Sequence, residues 1–253
     1  MPILAIYFLT LPSTTAQQIG IYSAAGYLAS FVFEISSGYF ADRFGHKKTL
    51  VLAKLLMIFS TFLFVITDSL PFFVLGMVFL STSFAFASGI GPAFMHDTLI
   101  QMKREKDFTR VMSKMGAYVS LISIFLIISL PFFTTIDIIL PLKISLAFDV
   151  LGFFAVILLV SPKREGEVSK DSMIKTIKDS SNPRFYWVSL FMGLISRFVF
   201  ATANYKEVYL QSLDYSVILV GFIMGLSRFA WFLIGNDARI IEKRISVKSL
   251  LRL

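Results

Sequence analysis

The residues best placed to do chemistry lie in one short segment, Gly38-Tyr39-Phe40-Ala41-Asp42-Arg43-Phe44-Gly45-His46-Lys47-Lys48. That chemistry is electrostatic rather than catalytic. Asp42 can meet the positive N-terminal end of a facing helix or a cation, while Arg43, Lys47 and Lys48 can pair with acids or with lipid phosphates. Gly38 has no side chain to keep a neighbouring helix away, and Gly45 permits the backbone angles a tight connection needs. Glu34, one turn before Gly38, can be paired or protonated in the same region, with a structural partner the simpler reading. A closed latch of this kind is worth only a few kcal/mol, which suits an element with two positions. Two arginines stand inside apolar runs, where ionisable groups are costly and point to function. Arg197 lies thirteen residues after Arg184 and nine before Lys206, near the middle of its run; Arg228 lies about two turns from a basic end and is expected to snorkel.

Other chemistries find no support. There are no cysteines, hence no disulfide framework, thiolate metal site or cysteine nucleophile. No Gly-Lys-Ser/Thr phosphate loop is present, and the two histidines fall near helix ends, so neither an ATP-driven pump nor a histidine-based metal enzyme is indicated. No convergent catalytic cluster is found, and neither enzyme activity nor a cofactor is expected.

The elements that position these residues follow from composition. Apolar residues make up 56% of the 253, and charged residues only 16%, against about 45–50% and 25% in soluble domains. Apolar runs long enough to cross a bilayer occur at 19–41, 49–67, 71–97, 111–133, 138–160, 184–205 and 215–235. An eighth, Met1 to Leu11, reaches only half-way. The expectation is an all-α membrane protein with about seven full transmembrane helices and a partial first one. Apart from Arg197 and Arg228, twenty of the 24 Lys and Arg residues fall on one side, in and around the loops after the even-numbered helices, and two, Lys143 and Lys206, on the other. By the positive-inside rule those loops and the C-terminus are expected to face the cytoplasm, in a cell membrane, plasma or inner. The formal charge of +8 is thereby explained by topology, without nucleic acid. A polar stretch at 162–183 divides the chain, read either as an amphipathic helix on the membrane face or as a solvated linker.

The segment Gly38–Lys48 resembles the signature of the major facilitator superfamily of secondary transporters, in which Gly, Ala, Asp, Arg, Gly and a basic cluster occupy the loop after the second helix. Glu34-Ile35-Ser36-Ser37-Gly38 is similar to a Glu-Ile-Pro-Ser-Gly run of some branches, and Ser88-Gly89 with His96-Asp97-Thr98-Leu99 to their Ser-Gly and Tyr-Asp-Ser-Leu. The resemblance implies a helical bundle of two halves, here 1–161 and the start of a second half at 184–253, with the chain incomplete against a twelve-helix plan. It implies that Asp42 docks on a helix of the second half, and that the basic residue after the second Gly pairs with the acid ending helix four. In this chain those positions are His46 and Asp97, a His in place of the usual Arg; Asp97 is expected to pair with His46 or Lys47, the alternative being two solvated surface residues.

The same resemblance places helices one, four and seven around a central cavity. Candidates to line it are Arg197 and Asn204, two turns apart on one face, with Ser81, Phe84 and Ser88 on helix four and Tyr7 and Thr10 on helix one. Arg197 would meet a negatively charged or polar solute; otherwise it pairs with Asp149 of helix six or snorkels. Gly221 and Gly225 form a small-xxx-small pair expected to pack helices. The implied function is movement of a small solute, anionic or polar, by alternating access, with H+ or Na+ both open as the coupling ion. The competing reading is a non-transporting membrane scaffold or an inactive gene fragment.

Overall fold

A computed structural model describes residues 4–12, 14–67, 69–162 and 205–244, together with Trp187 and Phe191. Among them every regular element is helical. In chain order they are α1 (Leu4–Thr10), α2 (Ala16–Phe44), α3 (His46–Ile66), α4 (Leu70–Gln101), α5 (Phe108–Ser129) and α6 (Leu140–Leu158). Helical residues 205–212 (α7) and α8 (Val217–Arg244) follow. α3, α4, α6 and the continuous helical stretch Glu105–Thr135 are each long and apolar enough to cross a bilayer, and α2 is a fifth if its two arms count as one span. The run at 184–205 and the polar segment at 162–183 lie almost wholly outside the described residues. The run at 215–235 corresponds to α8, whose apolar part is Val217–Phe229.

Local signals account for the helix ends. Thr15 caps α2 in a reciprocal arrangement, its own backbone N–H donating to Gln18 Oε1 at 2.9 Å. Pro71 sits in the first turn of α4 and Pro141 in that of α6, where no N–H is needed. α4 stops where Lys103 takes a positive φ of 58°, and its last carbonyls are closed by Lys103 N–H to Ile100 O and Arg104 N–H to Leu99 O, both at 2.8 Å.

α2 bends by 46° between Ala16–Glu34 and Ser36–Phe44. Two consecutive serines supply a cause, since Ser36 Oγ donates to Val32 O at 3.2 Å and Ser37 Oγ to Glu34 O at 2.8 Å. Hydroxyls that bond back to the preceding turn compete with the helix ladder and open it. The bend aims the last turns of α2 toward α3 and α4.

Packing is uneven along the bundle. At the end away from the α2–α3 connection, Phe8, Tyr22, Phe64 and Phe73 are almost fully buried and touch ring to ring, with Phe8, Tyr22 and Phe64 all 4.7–5.0 Å from Phe73. Leu142 of α6 and Val208 of α7 pack against this cluster. Two glycines bring backbones close. A Cβ on Gly26 would stand 2.7 Å from Ser81 Oγ, joining α2 to α4, and one on Gly76 would stand 2.6 Å from the Phe64 ring, joining α4 to α3. Gly221 and Gly225 face Pro131 and Ile128 at the α5 side, the packing use expected of that pair. By contrast, only 6% of the apolar window of Glu105–Thr135 and 11% of that of α6 are buried within the protein, so these surfaces suit contact with lipid chains.

Candidate functional site

At the other end, α2, α3 and α4 enclose an open groove of about 410 Å3 lined by Ser37, Gly38, Ala41, Asp42, His46, Gly89, Ile90, Ala93 and Asp97. Aromatic contacts join α2 to α4, Phe40 standing edge-on to Phe86 at 5.6 Å and Phe33 lying 6.2 Å from the same ring. A Cβ on Gly38, Gly89 or Gly91 would meet nothing within 4 Å. The close neighbour expected at Gly38 is therefore not found among the described residues, and the glycines instead widen the groove.

Gly45 makes the connection between α2 and α3 with a single residue. Its φ of 90° and ψ of 152° lie in a region essentially reserved for glycine. Its N–H closes α2 on Ala41 O at 2.9 Å, and its carbonyl accepts from Thr49 Oγ1 at 2.9 Å as α3 begins. This one-residue turn puts His46 at the first position of α3, directly across from the last turns of α4.

His46 Nδ1 lies 3.2 Å from Asp97 Oδ2, with the two side chains 12% and 26% exposed. Of the two partners left open for Asp97, His46 is the one in ion-pair contact. The neighbouring His96 faces outward, its Nε2 3.7 Å from Glu105 Oε1 and its ring edge-on to Phe108 at 5.3 Å. His46 thus pairs with a carboxylate of α4, and His96 with one just beyond the end of α4.

The remaining residues singled out from sequence divide sharply. Asp42 is on the groove wall. Arg43 turns outward, with Nη1 3.4 Å from Tyr39 Oη and its guanidinium 5.8 Å from the centre of the Phe44 ring. Glu34 is exposed one turn below the groove, and Lys47 is half-buried beside it. Tyr7 is 1% exposed, in contact with Phe73, and its hydroxyl donates to Thr67 O at 3.4 Å. Thr10 Oγ1 donates to Tyr7 O at 2.7 Å. These two belong to the packed end. Ser81 faces Gly26, Ser88 Oγ donates to Ala85 O at 3.1 Å, and Phe84 is 57% exposed. Arg197 and Asn204 lie outside the described residues.

One polar feature inside the bundle was not singled out from sequence. Thr61 Oγ1 of α3 donates to Asp149 Oδ2 of α6 at 2.8 Å, with Lys54 of α3 acting electrostatically on the same carboxylate. The sequence suggests Asp149 only as a partner for Arg197. The available signal was a lone acid in an apolar run, which must find a donor on a neighbouring helix.

Comparison with known proteins agrees with this architecture. The chain is 26% identical over 246 residues to an uncharacterized MFS-type transporter of Bacillus subtilis (strain 168), YxaM, which covers 93% of this chain and 61% of that protein. The chain therefore spans about three-fifths of the length of the curated relative it matches. No solved structure gives a significant match. The sequence profile of the Major Facilitator Superfamily matches residues 1–253. With its membrane-length apolar helices and the Gly45 turn joining α2 to α3, the chain belongs to the Major Facilitator Superfamily of multi-pass membrane transporters.

Proposed function

We propose that the protein moves a small polar or anionic solute across a cell membrane by alternating access, with the α2–α3 groove acting as a gate at the cytoplasmic end. The observation that carries this reading is the contrast between the two ends of the helices. One end is a dry aromatic cluster; the other is an open groove bearing Asp42, His46 and Asp97. A transporter accessible from one side at a time needs one sealed end and one open end. Residues 1–161 form the first half and 184–253 begin the second, joined by 162–183. The excess of Lys and Arg after even-numbered helices supports a cytoplasmic position for the groove.

In the closed state Asp42 docks on the N-terminal end of a helix from the second half, filling the space that Gly38 and Gly89 leave. The His46–Asp97 contact holds the start of α3 against α4 and so fixes where Asp42 is presented. Arg197 and Asn204 remain the proposed solute contacts at mid-membrane.

The test is uptake in proteoliposomes holding the full protein, screened with small carboxylates, phosphates and neutral polar solutes. At least one solute should enter faster than into empty liposomes, and Asp42→Asn should slow that entry at least tenfold. No uptake of any solute above the empty-liposome level would favour a scaffold over a transporter.

A further inference from the structure

The connection between α4 and α5, with the first turns of α5, carries five basic residues, Lys103, Arg104, Lys106, Arg110 and Lys114, against two acids, Glu105 and Asp107. Near neighbours take both acids. Arg104 Nε and Nη2 each lie 2.8 Å from Asp107 Oδ2, and Glu105 Oε1 lies 3.7 Å from His96 Nε2. Lys103, Lys106, Arg110 and Lys114 are exposed, and none forms an ion pair with a described residue.

Helix geometry sorts these cations. At 3.6 residues per turn, Arg110 and Lys114 stand roughly 40° apart on α5, and Tyr118, Leu121 and Phe125 fall within roughly 80° of Arg110 on the same side. These three are 66%, 47% and 69% exposed. α8 packs against the other end of the same stretch, at Ile128 and Pro131. One open face of α5 therefore passes from two cations through a phenol to apolar side chains over about 22 Å. Half a bilayer with its headgroups is about 20–22 Å thick and changes character in the same order.

We propose that this face binds an anionic phospholipid, its headgroup phosphate held by Arg110 and Lys114 and its acyl chain lying along Tyr118, Leu121 and Phe125. Lys103 and Lys106 raise the positive potential around the headgroup. A free anion would use the cations and leave the apolar continuation without a role. The chain's own segment 162–183 is a poor match in charge, with five basic residues against four acids. The same connection closes the end of α4 that carries Asp97, so a bound headgroup restrains one wall of the α2–α4 groove. The proposal needs only that the chain crosses a membrane, and it stands or falls apart from transport.

The chain has no cysteines, so a bimane fluorophore on Ala117→Cys, placed on this face between Lys114 and Leu121, senses lipid locally. The full chain is reconstituted in phosphatidylcholine nanodiscs, and quenching is compared between phosphatidylglycerol and phosphatidylcholine bearing the same nitroxide-labelled acyl chain. Each cation near the surface strengthens binding about fivefold, so phosphatidylglycerol should reach half-quenching at a mole fraction at least about fivefold lower. A label on Phe148→Cys, exposed on α6, should show no such preference. Arg110→Gln with Lys114→Gln should abolish the preference, and Arg110→Lys with Lys114→Arg, which keep both charges, should retain it. Equal quenching by the two lipids in the otherwise unaltered chain overturns the proposal, even if the double glutamine variant fails to fold. So does the absence of quenching by either lipid, which would mean that another segment covers this face. A preference that survives the double glutamine substitution, or one that millimolar inorganic phosphate removes and chloride of equal ionic strength does not, overturns it as well, the last assigning the cations to a free anion.

Discussion

The contact between His46 and Asp97 sets a coupling energy that can be measured. At 3.2 Å, and with side chains 12% and 26% exposed, the Coulomb attraction of a charged pair is about 5 kcal/mol at an effective dielectric constant of 20. Desolvation and the opposing end of α3 remove most of this, as they do for exposed pairs worth about 0–1 kcal/mol. The pair is less exposed than those, so the net coupling expected with a charged imidazole is about 1–2 kcal/mol. The assay is a double-mutant cycle of His46→Ala and Asp97→Ala, each unfolded chemically in mixed micelles. His46→Arg, which carries a positive charge, should retain the coupling. A coupling energy below about 0.3 kcal/mol would refute the reasoning.

Three further outcomes follow from the packing. Thr61→Val leaves Asp149 without its hydroxyl donor and should lower stability by about 1–3 kcal/mol, read as a shift in the unfolding midpoint, whereas Thr61→Ser should retain most of it. Gly45→Ala is strained by its φ of 90° at a cost of about 1–3 kcal/mol, and Gly76→Ala drives a methyl into the Phe64 ring at a similar cost, while Gly89→Ala, with open space around it, should stay within about 0.5 kcal/mol of wild type. Asp137, outside the spans, accepts from Ile139 N–H at 3.0 Å and from Lys143 Nζ at 3.0 Å; the backbone bond first and the lysine second hold its carboxyl below the usual carboxylate range. Its contribution is therefore full above that range and lost as pH falls through the lower folded value, so hydrogen exchange at Ile139 should quicken only in strong acid.

Much of this architecture was legible because membrane spans write themselves as apolar runs. The runs at 49–67, 71–97 and 138–160 became α3, α4 and α6 with ends shifted by a few residues, set by caps and prolines rather than by hydropathy. Gly45 was legible because a one-residue turn between two helices demands a backbone that only glycine adopts easily. The bend in α2 was not, since it depends on which way the Ser36 and Ser37 hydroxyls turn. The hydrogen bonds of Tyr7 and Thr10 were not legible for a related reason: a polar atom on an apolar helix can line a cavity or satisfy a neighbouring carbonyl, and here both hydroxyls donate to carbonyls. The Thr61–Asp149 bond joins residues 88 apart, a pairing that spacing along one helix cannot reveal.

The most direct test of alternating access compares the distances within two pairs of nitroxide labels, Lys48→Cys with Arg239→Cys and Ala16→Cys with Asp214→Cys, in the wild-type background and with Asp42→Asn, which weakens docking at the groove. The account predicts opposite responses, the first pair moving toward longer distances and the second toward shorter ones. Distances that stay fixed at both ends, or that lengthen together, would contradict it.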